Sequence, residues 1–186
     1  MNRLIVGVTG MAGSGKSIVV EAAVANGYDV VSMGDEVREE AKKRCMEPTP
    51  ENLGTVMLEL RQAEGESVIA RRCIPKIERT AKQKILVDGV RSLAETEEFK
   101  KHYPDFSLIA VHASPETRFT RIYNRQRSDD PKDWLIFQKK DQRELNVGLG
   151  NAIAMAQHII VNEGNPQTAK EEATEVLRKV EAKWTK

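Results

Sequence analysis

The chain has 186 residues, with 29 Lys and Arg against 28 Asp and Glu, a formal charge of +1. So even a balance argues against a broad nucleic-acid or membrane-binding surface and leaves room only for local basic clusters. The length suits one compact domain whose core needs no disulfide or metal, and Cys45 and Cys73, without C-x-x-C spacing or a nearby histidine, read as reduced thiols of a cytoplasmic protein.

Leu4–Val8 is the first apolar run. It is too short for a signal peptide, and no run in the chain approaches the roughly 20 apolar residues of a membrane span. It leads into Gly10-Met11-Ala12-Gly13-Ser14-Gly15-Lys16-Ser17, after which Ile18, Val19, Ala22 and Ala23 read as a helix starting near Lys16. Tyr28–Met33 is a more mixed, valine-rich run. Thr49 followed by Pro50 marks a helix start, and Leu53, Val56, Met57 and Leu60 then recur on one helical face. Ile85–Val87, leading into Asp88-Gly89, Leu108–Val111 and Ile159–Val161 are further short runs, and Gln167–Trp184 closes the sequence as a helix with an apolar face. Runs that are apolar on consecutive residues fit strands buried on both faces, as in a parallel sheet. Alternating strands and helices predict an α/β, three-layer architecture with about five parallel strands and helices on both faces. Residues 1–186 form a single domain on this reading. The 50 residues between Met33 and Lys84 exceed what a plain crossover needs, so 34–83 reads either as helical padding or as an insert over a second ligand.

Gly10 to Ser17 matches G-x-x-x-x-G-K-[ST] without a gap. Glycines allow the tight bend that turns several backbone N–H groups towards phosphate oxygens. The following helix adds the positive end of its dipole. Lys16 supplies charge to the β- and γ-phosphates, and the Ser17 hydroxyl suits Mg²⁺. The expectation is ATP with Mg²⁺ bound on Gly10, Met11, Ala12, Gly13, Ser14, Gly15, Lys16 and Ser17.

Four further segments carry a resemblance. Val31 to Arg38 contains Gly34-Asp35-x-x-Arg38, similar to the stretch that opens the acceptor site of adenylate kinases. Asp88-Gly89-Val90-Arg91 resembles that family's Asp-Gly-aromatic-Pro-Arg. Arg121, Arg125 and Arg127-Ser128-Asp129-Asp130 resemble its lid borders, and His158 to Gly164 resembles the last strand of dephospho-CoA kinases. As an ensemble the chain resembles an archaeal family of adenylate-kinase-like P-loop proteins. The resemblance implies a P-loop NTPase fold with a helical acceptor-binding insert (34–83) and a short arginine-rich lid (114–145). It implies an acceptor site with Asp35, Arg38 and Arg91, with Asp88 beside Ser17 at the metal, and Asn162 near the donor base. Departures are Met33 in place of threonine, Glu95 in place of a base-reading glutamine, and a lid insert almost absent. They bear on AMP specificity rather than on phosphotransfer.

Arg118, Arg121 and Arg125, three and four residues apart, share one helical face. Arginine clamps phosphate oxygens and balances charge on a moving phosphoryl group, so Lys16, Arg121, Arg125 and Arg127 are the catalytic candidates. For Arg118 a solvated helix face is the preferred reading, and Arg143 on the next helix is a weaker candidate. Asp88 also reads as a turn and Asp35 as a helix N-cap. The scattered His102, His112 and His158 suggest no metal site.

These residues point to an ATP-dependent kinase of nucleotides or nucleotide-like molecules, a monomer or homodimer. A hydroxyl acceptor would engage a carboxylate such as Asp35 as base. The competing class is an ATPase or nucleotide sensor acting with a protein or RNA partner. No N/T-K-x-D tetrapeptide is present to read guanine, which argues against a regulatory GTPase.

Overall fold

The computed structural model describes residues 3–125 and 130–184. Five strands, β1 (Leu4–Thr9), β2 (Asp29–Ser32), β3 (Lys84–Asp88), β4 (Ser107–His112) and β5 (His158–Val161), form one parallel sheet in the order β2-β3-β1-β4-β5. Val8 pairs with Asp88 and Thr9 with Ala110, so the strand ends that precede the functional loops lie along one edge. In open parallel sheets this carboxyl edge, where the strand order reverses, is where ligands bind.

The consecutive apolar residues serve two cores. One face of the sheet, with Ile5, Ile85, Val87 and Leu108, packs against α2 (Met33–Lys43), α3 (Pro50–Glu64), α4 (Val68–Arg79) and α5 (Leu93–His102). The other face, with Leu4, Val6, Val8, Leu86, Ile109 and Val111, packs against α1 (Ser17–Ala25) and α9 (Pro166–Trp184). The central strands β1, β3 and β4 are buried on both sides, as their lack of alternation demands. The edge strands β2 and β5, each paired on one side only among the described residues, depart from that expectation and leave Val30, Ile159 and Val161 exposed. The chain is completed by α6 (Pro115–Arg125), α7 (Trp134–Asn146) and α8 (Leu149–Ala154).

Several boundaries follow from local chemistry. Thr49 caps α3 by accepting a bond from Asn52 N at 3.2 Å, with Pro50 opening the first turn. Ser92 caps α5 through Glu95 N, and Asp133 caps α7 through Ile136 N. Asp35 is not a cap: Ser32 holds that position and Asp35 lies inside the first turn of α2. The segment after Met33 is helical almost throughout, with α2, α3 and α4 packed on one another and α4 against α5. Among the described residues no helix is long and apolar enough to cross a membrane.

Candidate active site

The glycine-rich segment runs from the end of β1 into α1. Gly10, Gly13 and Gly15 have φ of +146°, +81° and +93°, a region that side chains disfavour. The loop is also crowded from behind. A Cβ on Gly15 would lie 2.2 Å from Asn162 Nδ2, and one on Gly10 would lie 2.3 Å from the Val111 carbonyl oxygen.

The loop carbonyls are held by side chains from several elements. Asn162 Nδ2 donates to Ser14 O at 2.9 Å, and Arg121 donates to Ser14 O at 3.4 Å and to Asn162 O at 2.9 Å. Arg118 donates to Ala12 O at 3.2 Å while gripping both oxygens of Asp141 on α7, at 2.9 and 2.5 Å. Arg118 is only 3% exposed, so the solvated-face reading fails. Its charge is matched by Asp141 and stacked on the Phe137 ring at 4.9 Å, which ties α7 to the loop. Lys16 Nζ bonds the loop's own Gly10 and Met11 carbonyls at 2.6 and 3.2 Å. Burial pushes the Lys16 ammonium below its ordinary value, with Glu144 and Asp88 opposing the shift.

In front of the loop lies a cavity of about 430 Å³, lined by Gly13, Gly15, Lys16, Ser17, Asp88, Arg121 and Arg125 among others. Arg125 also makes a two-point pair with Asp130, at 3.0 and 2.5 Å. Asp88 ends β3 opposite Val8. Its Oδ1 is buried with no hydrogen-bond partner among the described residues. A carboxylate oxygen left bare in a cavity that Ser17 also lines fits the hard, oxygen-seeking Mg²⁺, which takes its remaining ligands from phosphates and water.

A second, smaller cavity of about 130 Å³ lies between α2, α3 and α7. Arg38, Arg91, Lys140 and Arg143 bring positive charge to it, Val37, Pro50, Leu53 and Met57 give an apolar wall, and Glu144 is its carboxylate. Arg38 pairs with Asp35 at 2.7 Å and Arg91 Nε with Glu144 at 3.4 Å. Burial alone would raise the Glu144 carboxyl, but Arg91, Lys16 and Lys140 together hold it below its ordinary value. Glu144 in turn raises the Arg91 guanidinium. Glu95, at the position where adenylate kinases read the base, is fully buried. It binds Arg61 and accepts from the Arg91 backbone N–H at 2.7 Å, so it shapes the turn carrying Arg91.

The structure therefore brings Lys16, Ser17, Asp88, Arg121 and Arg125 to one cavity, and Arg38 and Arg91 to the next. Asn162 reaches the back of the loop. Arg127 lies outside the described residues.

A family model described as an AAA domain matches residues 9–135. The UPF0200 protein of Methanothermobacter thermautotrophicus is 39% identical over 183 residues, covering 98% of this chain and 94% of that one. Its counterpart in Hyperthermus butylicus is 46% identical over 179 residues, covering 96% of each. This chain belongs to the UPF0200 family. The UPF0200 chain shares its fold with P-loop kinases. It is similar to a gluconokinase from Sinorhizobium meliloti 1021, with TM-score 0.58 and 15% identity, covering 98% of this chain and 96% of that one. It is also similar to a shikimate kinase from Bacteroides thetaiotaomicron, with TM-score 0.59 and 13% identity, covering 94% and 98%.

Sequence reasoning missed two site residues of this UPF0200 chain, Lys140 and Glu144. With Arg143 they follow the i, i+3, i+4 spacing of one helix face. That pattern is shared by any solvated helix, so only the fold reveals the cavity it faces.

Proposed function

We propose that this chain is a cytoplasmic, ATP- and Mg²⁺-dependent small-molecule kinase, acting on a nucleotide-like anionic acceptor held under the helices of residues 34–83. The observation that carries this reading is the second, cation-rich cavity beside the phosphate loop. A sensor or simple hydrolase has no need of it. The kinase names of the fold neighbours support transfer as the chemistry.

In this reading Lys16 leaves its loop carbonyls for the donor phosphates, whose oxygens also meet the inward backbone N–H groups. Ser17 and Asp88 hold the metal, which when bound neutralises charge on those phosphates. Arg38 and Arg91 orient the acceptor's anionic group. Arg121 and Arg125, at the rim of the donor cavity, face the phosphoryl group as it crosses, and the 114–145 segment closes the site. Positioning and charge supply most of the rate in such transfers.

The test is phosphoryl transfer from labelled ATP–Mg²⁺ to AMP, CMP, UMP, GMP, several nucleosides and dephospho-CoA, with Lys16→Ala alongside. Labelled product that vanishes in the variant is the expected result. ATP binding without any labelled product, and hydrolysis that rises only with an added protein or RNA, would replace the kinase with a partner-driven ATPase.

A further inference from the structure

Two of the three arginines lining the acceptor cavity are already paired with carboxylates, Arg38 with Asp35 and Arg91 with Glu144. The two pairs differ. Asp35 stands at the rim with 56% of its side chain exposed, whereas Glu144 keeps only 17% and lines the cavity wall. Arg91 holds the Glu144 side chain in that wall, and α7 beneath it is fixed. One turn earlier on that helix, Asp141 is locked to Arg118, and Phe137 is buried beneath the same arginine. The carboxylate therefore stays in the cavity when an acceptor arrives.

A retained carboxylate repels a phosphate dianion, and its oxygens need donors once water is expelled. A hydroxyl supplies such a donor; an ionised phosphate oxygen does not. Glu144 lines the acceptor cavity beside Arg91 and is near enough to Lys16 to interact with its charge as well.

We infer that Glu144 sets the acceptor class: the site takes a small molecule bearing one anionic group and a hydroxyl, and that hydroxyl receives the phosphoryl group. The inference rests on the kinase reading above. The hydroxyl proton passes to the Glu144 carboxylate as the acceptor oxygen forms its bond to the γ-phosphorus. The bond from that phosphorus to the bridging oxygen breaks, and its electron pair leaves with ADP. The proton is then released to solvent. The products are a phosphomonoester, ADP and a proton.

The experiment uses the full chain with ATP–Mg²⁺ and two acceptor sets. Ribose 5-phosphate, glycerate and dephospho-CoA carry an anion and a hydroxyl; methyl phosphate and dideoxy-AMP carry phosphate and no ribose 2′- or 3′-hydroxyl. Phosphorus NMR separates a phosphomonoester from an anhydride. The expected product is a phosphomonoester from the first set. Glu144→Gln should lower kcat by about 100-fold or more with KM within about threefold, and Glu144→Asp should recover part of it. In the same Gln variant, inhibition by methyl phosphate should tighten, because Arg91 loses its internal partner. A merely structural role would weaken both. An anhydride product, or a Gln variant with undiminished kcat, overturns the hydroxyl assignment while leaving a kinase. Absence of transfer to every acceptor, with methyl phosphate affinity unmoved by Arg91→Ala, overturns the kinase reading itself.

Discussion

Gly54 offers a substitution whose effects on stability and on ligand binding should run in opposite directions. It lies inside α3, where a Cβ would come within 2.7 Å of Arg143 Nη1 and 3.0 Å of its Cζ. Arg143 is the far end of a flexible side chain, and among the described residues it makes no hydrogen bond or ion pair that Gly54→Ala would break. Moving it costs little. Alanine meanwhile improves a helix interior by up to about 1 kcal/mol over glycine, which at this chain length is about 2–4 °C in Tm. Losing one charge-assisted contact to an anionic acceptor weakens binding by about 1.5–3 kcal/mol, or roughly 10- to 150-fold. Thermal melts and titration with inorganic phosphate measure both quantities on one preparation. The expected variant melts at or slightly above the parent and binds phosphate more weakly. A variant that melts well below the parent, with phosphate affinity unchanged, would refute the placement of Arg143 at the acceptor cavity.

Three other outcomes follow from the same contacts. Arg118→Leu leaves Asp141 without its partner and frees the Ala12 carbonyl, so unfolding should become easier by about 3–5 kcal/mol, read by urea denaturation; a loss under about 1 kcal/mol would contradict the bridge. Gly15→Ala, strained at φ +93° and pressed onto Asn162, should abolish nucleotide binding in a titration while the far-ultraviolet circular dichroism stays that of a folded chain. Glu144 has its folded pKa lowered, so its stabilising contribution is complete above its ordinary value and is lost as pH falls through the folded one. The stability gap between the parent and Glu144→Gln should therefore shrink between about pH 6 and about pH 3, and a constant gap would show that the charge of Glu144 is not what Arg91 and Lys16 respond to.

The parts of the molecule that were legible in the sequence are those where one residue type has one physical use. Leu4–Val8 and Leu108–Val111 are apolar on every residue because both faces are covered, and they became β1 and β4. Thr49-Pro50 announced α3, and the phosphate loop announced itself. Charged residues were harder, because a cation's role depends on its neighbour across the fold. Arg118 and Arg121 share a helix face in the sequence, yet Arg118 found the buried Asp141 and Arg121 found the carbonyls behind the loop. Asp35 resembled a cap because nothing local distinguishes the first residue of a helix from its third. Glu144 carried no signal at all until α7 was laid across the second cavity.

The carbonyls of Gly10, Met11, Ala12 and Ser14 are all held by side chains of Lys16, Arg118, Arg121 or Asn162. The consequence is kinetic as well as thermodynamic. A loop tied by its own fold's side chains spends little of the nucleotide's affinity on ordering the peptide. Association should then proceed at a rate set by diffusion and orientation, with a single exponential and little change in backbone hydrogen exchange at the loop. Within the loop itself the change is the hand-over of Lys16 from two carbonyl oxygens to a phosphate, a side-chain motion rather than a refolding of the peptide.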